Sequence, residues 1–169
     1  MTISMYSASV PLFKRQLGAL LAWMDKAEAH AIARQFDPNN YLQQRLAPDM
    51  LPFVSQVRIA SDGAKACVAR LAGMEPPKFE DNEATLAELR VRVQKTLDYI
   101  DSVAASAIDG SEERDIVIPM RTRDPLQFKG LFYLQHWALP NFYFHVTTAY
   151  ALLRNAGVAM GKADFLAVG

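Results

Sequence analysis

The sequence predicts an all-α fold in the form of a four-helix bundle. In four separate segments, apolar residues recur at intervals of three and four, which is the pattern of a helix with one buried stripe. These segments cover residues 9–34, 50–72, 83–106 and 131–156. Helices with one apolar face must pack against one another. We expect residues 1–169 to form a single domain, because the chain is long enough for one core and no repeat or long linker divides it.

The first two helices have expected start signals. Ser9 is the predicted N-cap of the first helix, and Asp49 is the predicted N-cap of the second helix. Gln56 shares a face of the second helix with small residues only, so its amide is expected to lie close to a neighbouring helix or to bond a backbone group or water. Asp62 and Lys65, on the same helix, are expected on the surface.

The third helix has the clearest pattern. Thr85 and Glu88 have the spacing of a capping box, in which each side chain bonds to the backbone N–H of the other residue. Beyond this helix, the β-branched run Ile116–Ile118 favours a short hairpin. The predicted strands are residues 115–120 and 126–129.

The fourth helix carries the most suggestive functional group, His145. Pro140 and Asn141 are typical of a helix start, and Gly157 is typical of a stop. Apolar residues also precede Pro140, so we expect one bent helix or two helices that meet at this proline. Four apolar residues form the expected buried stripe, with His145 at its edge: Phe142, Val146, Ala149 and Leu153.

Composition excludes several classes of function. Lys plus Arg equals Asp plus Glu at 18 each, so the chain lacks the basic field of a nucleic-acid-binding protein. No run of about 18 apolar residues is present, so no membrane span is predicted. The start of the chain lacks a signal-peptide pattern, and the single cysteine, Cys67, excludes an intrachain disulfide. We expect a cytoplasmic protein in which Cys67 is a buried side chain.

The histidine inventory argues against a metal centre built on imidazoles. The chain has three histidines, His30, His136 and His145. His30 belongs to the polar end of the first helix and is expected to be solvated, and His136 lies on a different helical face from His145. Zinc or nickel needs about three good side-chain donors. We therefore predict no tightly bound metal and no cofactor.

The runs PNFYFHVTTAYALLRNAG, RLAPDM and GKADF resemble a bacterial family of unknown function among the DinB/YfiT-like proteins. The resemblance covers nearly the whole chain. It implies a DinB-like bundle with helices in up-down-down-up order, often as a homodimer.

Many DinB-like proteins bind a divalent metal through three histidines, one on the second helix and two on the fourth helix separated by three residues. Some of them transfer or isomerise groups with low-molecular-weight thiols. In this sequence His145 matches the first histidine of the fourth helix, whereas Ala149 stands at the position of the second. Gln56 or Arg58 stands near the position of the second-helix histidine. The resemblance thus implies a bundle that lacks the full metal site.

Polar residues around His145 form the candidate site. Asn141 lies one helical turn before His145, and Tyr150 lies five residues after it. Gln56 is expected to approach from the second helix and Asp49 from the start of that helix. Such a cluster is either a buried hydrogen-bond network that fixes the helix register or a small-molecule site.

Three functions remain open from the sequence. The first is a non-enzymatic dimeric bundle that binds a small molecule beside His145. The second is a metal-dependent enzyme of the thiol-transfer or isomerisation class, with a non-standard site completed by residues such as Asp49 or His136. The third is a structural or interaction dimer without a ligand, for which Tyr143 or Phe144 offers contact surface. Whether the protein is an enzyme stays open.

Overall fold

The computed structural model describes residues 3–120, 122 and 124–168. The long helices are α1 (Val10–Ala33), α2 (Phe53–Leu71), α3 (Leu86–Ser102) and α6 (Leu139–Asn155). The shorter elements are a 3₁₀ helix (Pro38–Gln43), α4 (Ala105–Ile108), β1 (Asp115–Ile118), β2 (Leu126–Lys129), α5 (Gly130–Tyr133), a π-helical turn (Leu134–Ala138) and α7 (Lys162–Leu166). The chain is therefore mostly helical, with one small antiparallel sheet.

Helices α1 and α6 lie side by side and run in the same direction. Near one end, the rings of Phe13 and Phe142 meet edge to face with centroids 4.8 Å apart. Further along both helices, Trp23 meets Tyr150 at 5.3 Å. Edge-to-face pairs of this kind stabilise a packed core beyond the apolar area that they bury.

Helix α3 runs opposite to α1 and in the same direction as α2. Lys14, near the start of α1, forms an ion pair with Asp101 near the end of α3. Arg58, in the first half of α2, pairs with Glu83, which lies just before α3 begins. The long connector between α2 and α3 returns the chain to the starting end of α2, which allows the two helices to be parallel.

Helices α2 and α6 run in opposite directions. Gln56, near the start of α2, bonds to His145 in α6. At the other end of α2, Arg70 bonds to Tyr133, which precedes α6 in the chain. These two contacts place the start of α2 beside the middle of α6 and the end of α2 beside the residues that precede α6.

The two predicted N-caps have different outcomes. Ser9 occupies the N-cap position of α1 as predicted, but its hydroxyl donates to the carbonyl of Met5 at 2.6 Å and makes no capping bond. The prediction for Asp49 was wrong: it is exposed in a turn, and α2 begins at Phe53 after an extended Pro52. The amide of Phe53 donates to a carbonyl of the preceding loop, so a tertiary contact determines this helix start.

The third predicted helix was too long but correctly capped. Thr85 and Glu88 form the predicted capping box, with both reciprocal bonds present. The helix ends at Ser102 because Val103 adopts an extended conformation, and Ala105–Ile108 forms a separate turn of helix.

The predicted hairpin is confirmed, with its first strand two residues shorter than expected. Asp115 pairs with Lys129 at one end of the register, and Ile118 pairs with Leu126 at the other end. Gly130 follows the second strand directly, and a Cβ atom at this position would overlap the carbonyl oxygen of Ser111. This close backbone approach requires glycine.

The fourth segment is helical without interruption from Gly130 to Asn155, through the π-helical turn. The turn directly precedes Pro140, which has no N–H to bond to the carbonyl of His136 four residues earlier. A wider π turn relieves the clash between the proline ring and that carbonyl.

Among the described residues, no helix is long and apolar enough to cross a membrane.

Candidate functional site

The site begins with a hydrogen bond between α2 and α6. His145 is half-buried on α6, and its Nδ1 lies 2.7 Å from Oε1 of Gln56. The Gln56 side chain is almost fully buried, with 2% of its surface exposed. Its other amide atom, Nε2, donates to the backbone carbonyl of Leu51 at 3.0 Å. Both ends of the Gln56 amide are therefore used.

This pair of bonds determines the tautomer of His145. Because Nε2 of Gln56 donates to a carbonyl, Oε1 is the atom that faces the histidine ring. An amide oxygen only accepts hydrogen bonds, so Nδ1 of His145 carries the proton. Burial lowers the pKa of His145 below its ordinary value of 6.5, which favours the neutral ring. The neutral ring then presents Nε2 as a hydrogen-bond acceptor.

One apolar ring lies next to the imidazole, and a second exposed apolar residue holds its partner Gln56. The ring of Phe144 is perpendicular to that of His145, with centroids 5.2 Å apart, and 57% of Phe144 is exposed. Leu51, whose carbonyl holds Gln56, is 49% exposed. The arrangement therefore combines one accepting nitrogen with accessible apolar surface.

The other residues predicted for this site do not join it. No hydrogen bond within the described part of the chain links Asn141 or Asp49 to His145. Tyr150 packs between Trp23 and Phe165 instead, because α6 turns this side chain towards α1. Of the predicted partners, the structure brings only Gln56 to His145.

The residues present do not fit the three-histidine metal centre that the sequence resemblance suggests. Ala149 is fully buried and offers no donor, and the oxygen of Gln56 already accepts from His145. His136 lies exposed against Phe132, with ring centroids 4.3 Å apart. Over the residues that the structure describes, no group of three or more His, Cys, Asp or Glu is placed to hold an ion.

His30 was wrongly predicted to be a solvated residue. It is half-buried, and its Nδ1 lies 2.6 Å from the hydroxyl of Tyr41, a fully buried side chain. Phe36 packs edge to face against the same imidazole. The 3₁₀ helix after α1 folds back over this ring, which the apolar period of α1 alone does not reveal.

A second polar cluster, which the sequence reasoning missed, lies between α2 and α3. Arg92 is buried on α3, with 2% of its side chain exposed, and its guanidinium lies within 3.0 Å of carboxylate oxygens of three residues. These residues are Asp62, Asp81 and Glu83. Arg58 binds Glu83 from the other side at 2.6 Å. Burial alone would raise the pKa of Glu83, but hydrogen bonds from Arg92 and Arg58 outweigh it and lower that pKa overall.

The same cluster corrects the prediction that Lys65 is a surface group. Lys65 is buried, with its Nζ 2.8 Å from Asp62 and 3.8 Å from the centre of the Phe79 ring. A signal for this cluster was present in the sequence. Arg92 lies three residues after Leu89 on the apolar stripe of α3, where a charged side chain needs buried partners.

Comparison with known proteins gives the family. The sequence matches the family described as a domain of unknown function, DUF1993, over residues 5–166. The chain belongs to the DUF1993 family. This DUF1993 protein is also similar to the crystal structure of a DinB family member from Shewanella denitrificans, with 39% identity and a TM-score of 0.85. The match covers 95% of this chain and 90% of that chain. No curated protein matches significantly.

These findings confirm the resemblance to DinB-like proteins that the sequence motifs suggested. The family description names no function, so the comparisons assign this DUF1993 protein to a family without assigning an activity.

Proposed function

We propose that this DUF1993 protein binds a small molecule beside His145 and is not an enzyme. The observation that carries the proposal is the bond between His145 and Gln56. Leu51 orients the Gln56 amide, and this amide holds the imidazole in the tautomer that presents Nε2. The accepting Nε2 atom of this ring, beside the exposed Phe144, supports a site that a donor-bearing molecule can occupy.

We propose a four-helix bundle in up-down-down-up order as the frame for this site. The shared direction of α1 with α6, and of α2 with α3, supports this order. The opposite direction of α2 and α6 supports it as well. In such a frame ligands bind between facing helices, and the pair of Gln56 with His145 lies between α2 and α6.

The ligand chemistry follows from the atoms at the site. The Nε2 atom of neutral His145 accepts a hydrogen bond, so the ligand offers a hydroxyl, amine or thiol hydrogen. Phe144 and Leu51 favour an apolar body on that ligand.

A matched fragment screen tests the proposal. Small alcohols, thiols and amines with an apolar body are compared with analogues that lack the donor hydrogen, and the melting temperature of the protein is measured. We expect donor-containing fragments to raise the melting temperature, because a ligand that binds only the folded state stabilises it. His145→Ala should abolish the shift, whereas His136→Ala, which removes an exposed histidine elsewhere, should retain it. The absence of any shift would favour the structural or interaction dimer.

Metal analysis tests the alternative of a metal-dependent enzyme with a non-standard site. We expect no stoichiometric zinc or nickel in untagged protein, because His145 lacks the donors that such a centre requires. Stoichiometric metal that is lost in His145→Ala would contradict the proposal and favour the enzymatic alternative.

We also propose a cytoplasmic homodimer. Exposed aromatic side chains, among them Phe132 at 52% and Phe144 at 57%, offer apolar contact surface. A net charge of zero gives little self-repulsion. Light scattering coupled to gel filtration tests the dimer, and a monomer at high micromolar concentration would contradict it.

A further inference from the structure

A cavity away from His145 lies where the end of α2 meets β1. Its volume is about 350 Å³. Two arginines line it, Arg70 from the last turn of α2 and Arg114 from the residue before β1. Within the described part of the chain, neither arginine forms an ion pair with a carboxylate. This contrasts with Arg92, whose charge faces three carboxylates.

Each of the two arginines contacts a defined neighbour. Arg70 donates from Nη1 to the hydroxyl of Tyr133 at 3.2 Å, and Tyr133 is buried. Arg114 packs over Gly73, where its Nη1 lies 2.5 Å from the point that a Cβ atom would occupy. Gly73 has a φ of +71°, so both its backbone conformation and the close approach of Arg114 favour glycine.

Two carboxylates, Glu75 and Asp115, also line the cavity. Asp115 pairs with Lys129 at 2.7 Å, and Glu75 is exposed and forms no ion pair with either arginine among the described residues. With Lys129 included, three positive charges face two negative charges here, which favours an anion, and a guanidinium binds a carboxylate through two parallel hydrogen bonds.

The remaining walls indicate what kind of anion fits. Met74, Val117 and Pro119 contribute apolar surface to the same cavity, and all three are exposed. A fully hydrated inorganic ion would leave that surface unused, whereas an organic acid would cover it. We infer that this cavity binds a small monocarboxylate with an apolar body. The inference does not depend on the function proposed for His145.

Titration with sodium 3-methylbutanoate at constant ionic strength tests the inference, with sodium phosphate and sodium chloride as reference anions. Backbone amide shifts in a two-dimensional NMR spectrum report binding at Gly73 and Val117. We expect saturable shifts with 3-methylbutanoate, and binding of phosphate that is weaker by about tenfold or more. No saturation with 3-methylbutanoate, or equal binding of phosphate, would overturn the inference.

Arg114→Gln should weaken the binding of 3-methylbutanoate by about tenfold or more, because it removes a charge-assisted hydrogen bond. Lys162→Gln is the matched control, since it removes one exposed positive charge outside the cavity. Equal losses in both variants would show a general charge effect and overturn the inference. If Arg114→Gln does not fold, Arg70→Lys provides the same test: it keeps the charge but removes the planar guanidinium, and unchanged binding would overturn the site.

Discussion

Two of the polar contacts of helix α2 are opposite in character. Towards α6 it offers Gln56, an uncharged amide that bonds to a half-buried, neutral His145. Towards α3 it offers Arg58 and Asp62, which join a buried ionic cluster around Arg92. The first contact is a single hydrogen bond between neutral groups, whereas in the second each charge faces an opposite charge of the same chain.

The difference separates a candidate binding group from a structural one. The ionic cluster ties Asp81 and Glu83 of the α2–α3 connector to Arg92, so it holds the returning chain against both helices. Its charges are paired with one another, which suits a structural role. In His145 one ring nitrogen bonds to Gln56, and under the proposed function the other accepts a hydrogen bond from the ligand.

The largest expected effect is the loss of the ionic cluster. Arg92→Ala should lower the free energy of unfolding by about 2–4 kcal/mol, because it removes a buried side chain and leaves the buried Glu83 with Arg58 as its remaining partner. Urea denaturation measures the change. Gln94→Ala, which alters an exposed side chain bonded to the exposed Asp98 on the same helix, should change stability by no more than about 0.5 kcal/mol. A loss below about 1 kcal/mol in Arg92→Ala would show that the cluster is not structural.

A smaller loss in the free energy of unfolding is expected at the contact between Gln56 and His145. His145→Ala should cost about 1–3 kcal/mol in the same assay, since it strands the oxygen of Gln56 and leaves a void. A double-mutant cycle with Gln56→Ala measures the coupling between the two side chains. If the two losses are additive, the hydrogen bond contributes nothing to stability.

The two contacts should also respond to acid in different pH ranges. The pKa of His145 is lowered in the folded state, so below about pH 6.5 the unfolded chain takes up a proton that the folded chain does not. Stability should therefore fall as the pH decreases through this range, and His145→Gln should reduce the slope.

Glu83 has a lowered pKa in the folded state as well, but its ordinary value is 4.5. Its contribution should be complete above that pH and should be lost as the pH falls below it. Denaturation curves between pH 3 and pH 8, roughly the range that spans both ordinary values, separate the two effects. A slope near pH 6 that persists in His145→Gln would assign it to another group.

The smallest expected effect is at Asn141. Because no hydrogen bond joins Asn141 to His145 among the described residues, Asn141→Ala should change stability by no more than about 0.5 kcal/mol. It should also leave fragment binding at His145 unchanged. A loss of binding would place Asn141 in the site after all.

The sequence alone determined the helical character of the chain, because the period of apolar residues is a local property. It also determined the capping box of Thr85 with Glu88 and the short hairpin, since both depend on residues close together in the chain. The sequence also shows, without a structure, that the chain has too few suitably placed histidines for a three-histidine metal site. These features follow from composition and spacing.

The tertiary structure decided which polar groups meet. Gln56 and His145 are 89 residues apart, and several partners for His145 fitted the sequence equally well until the packing of α2 against α6 selected one. The start of α2 depends on a bond from Phe53 to a loop carbonyl, and the burial of Lys65 depends on Phe79 from the connector. Such contacts join distant parts of the chain, so the free energy that selects them comes from packing and charge pairing in the folded state rather than from local propensity.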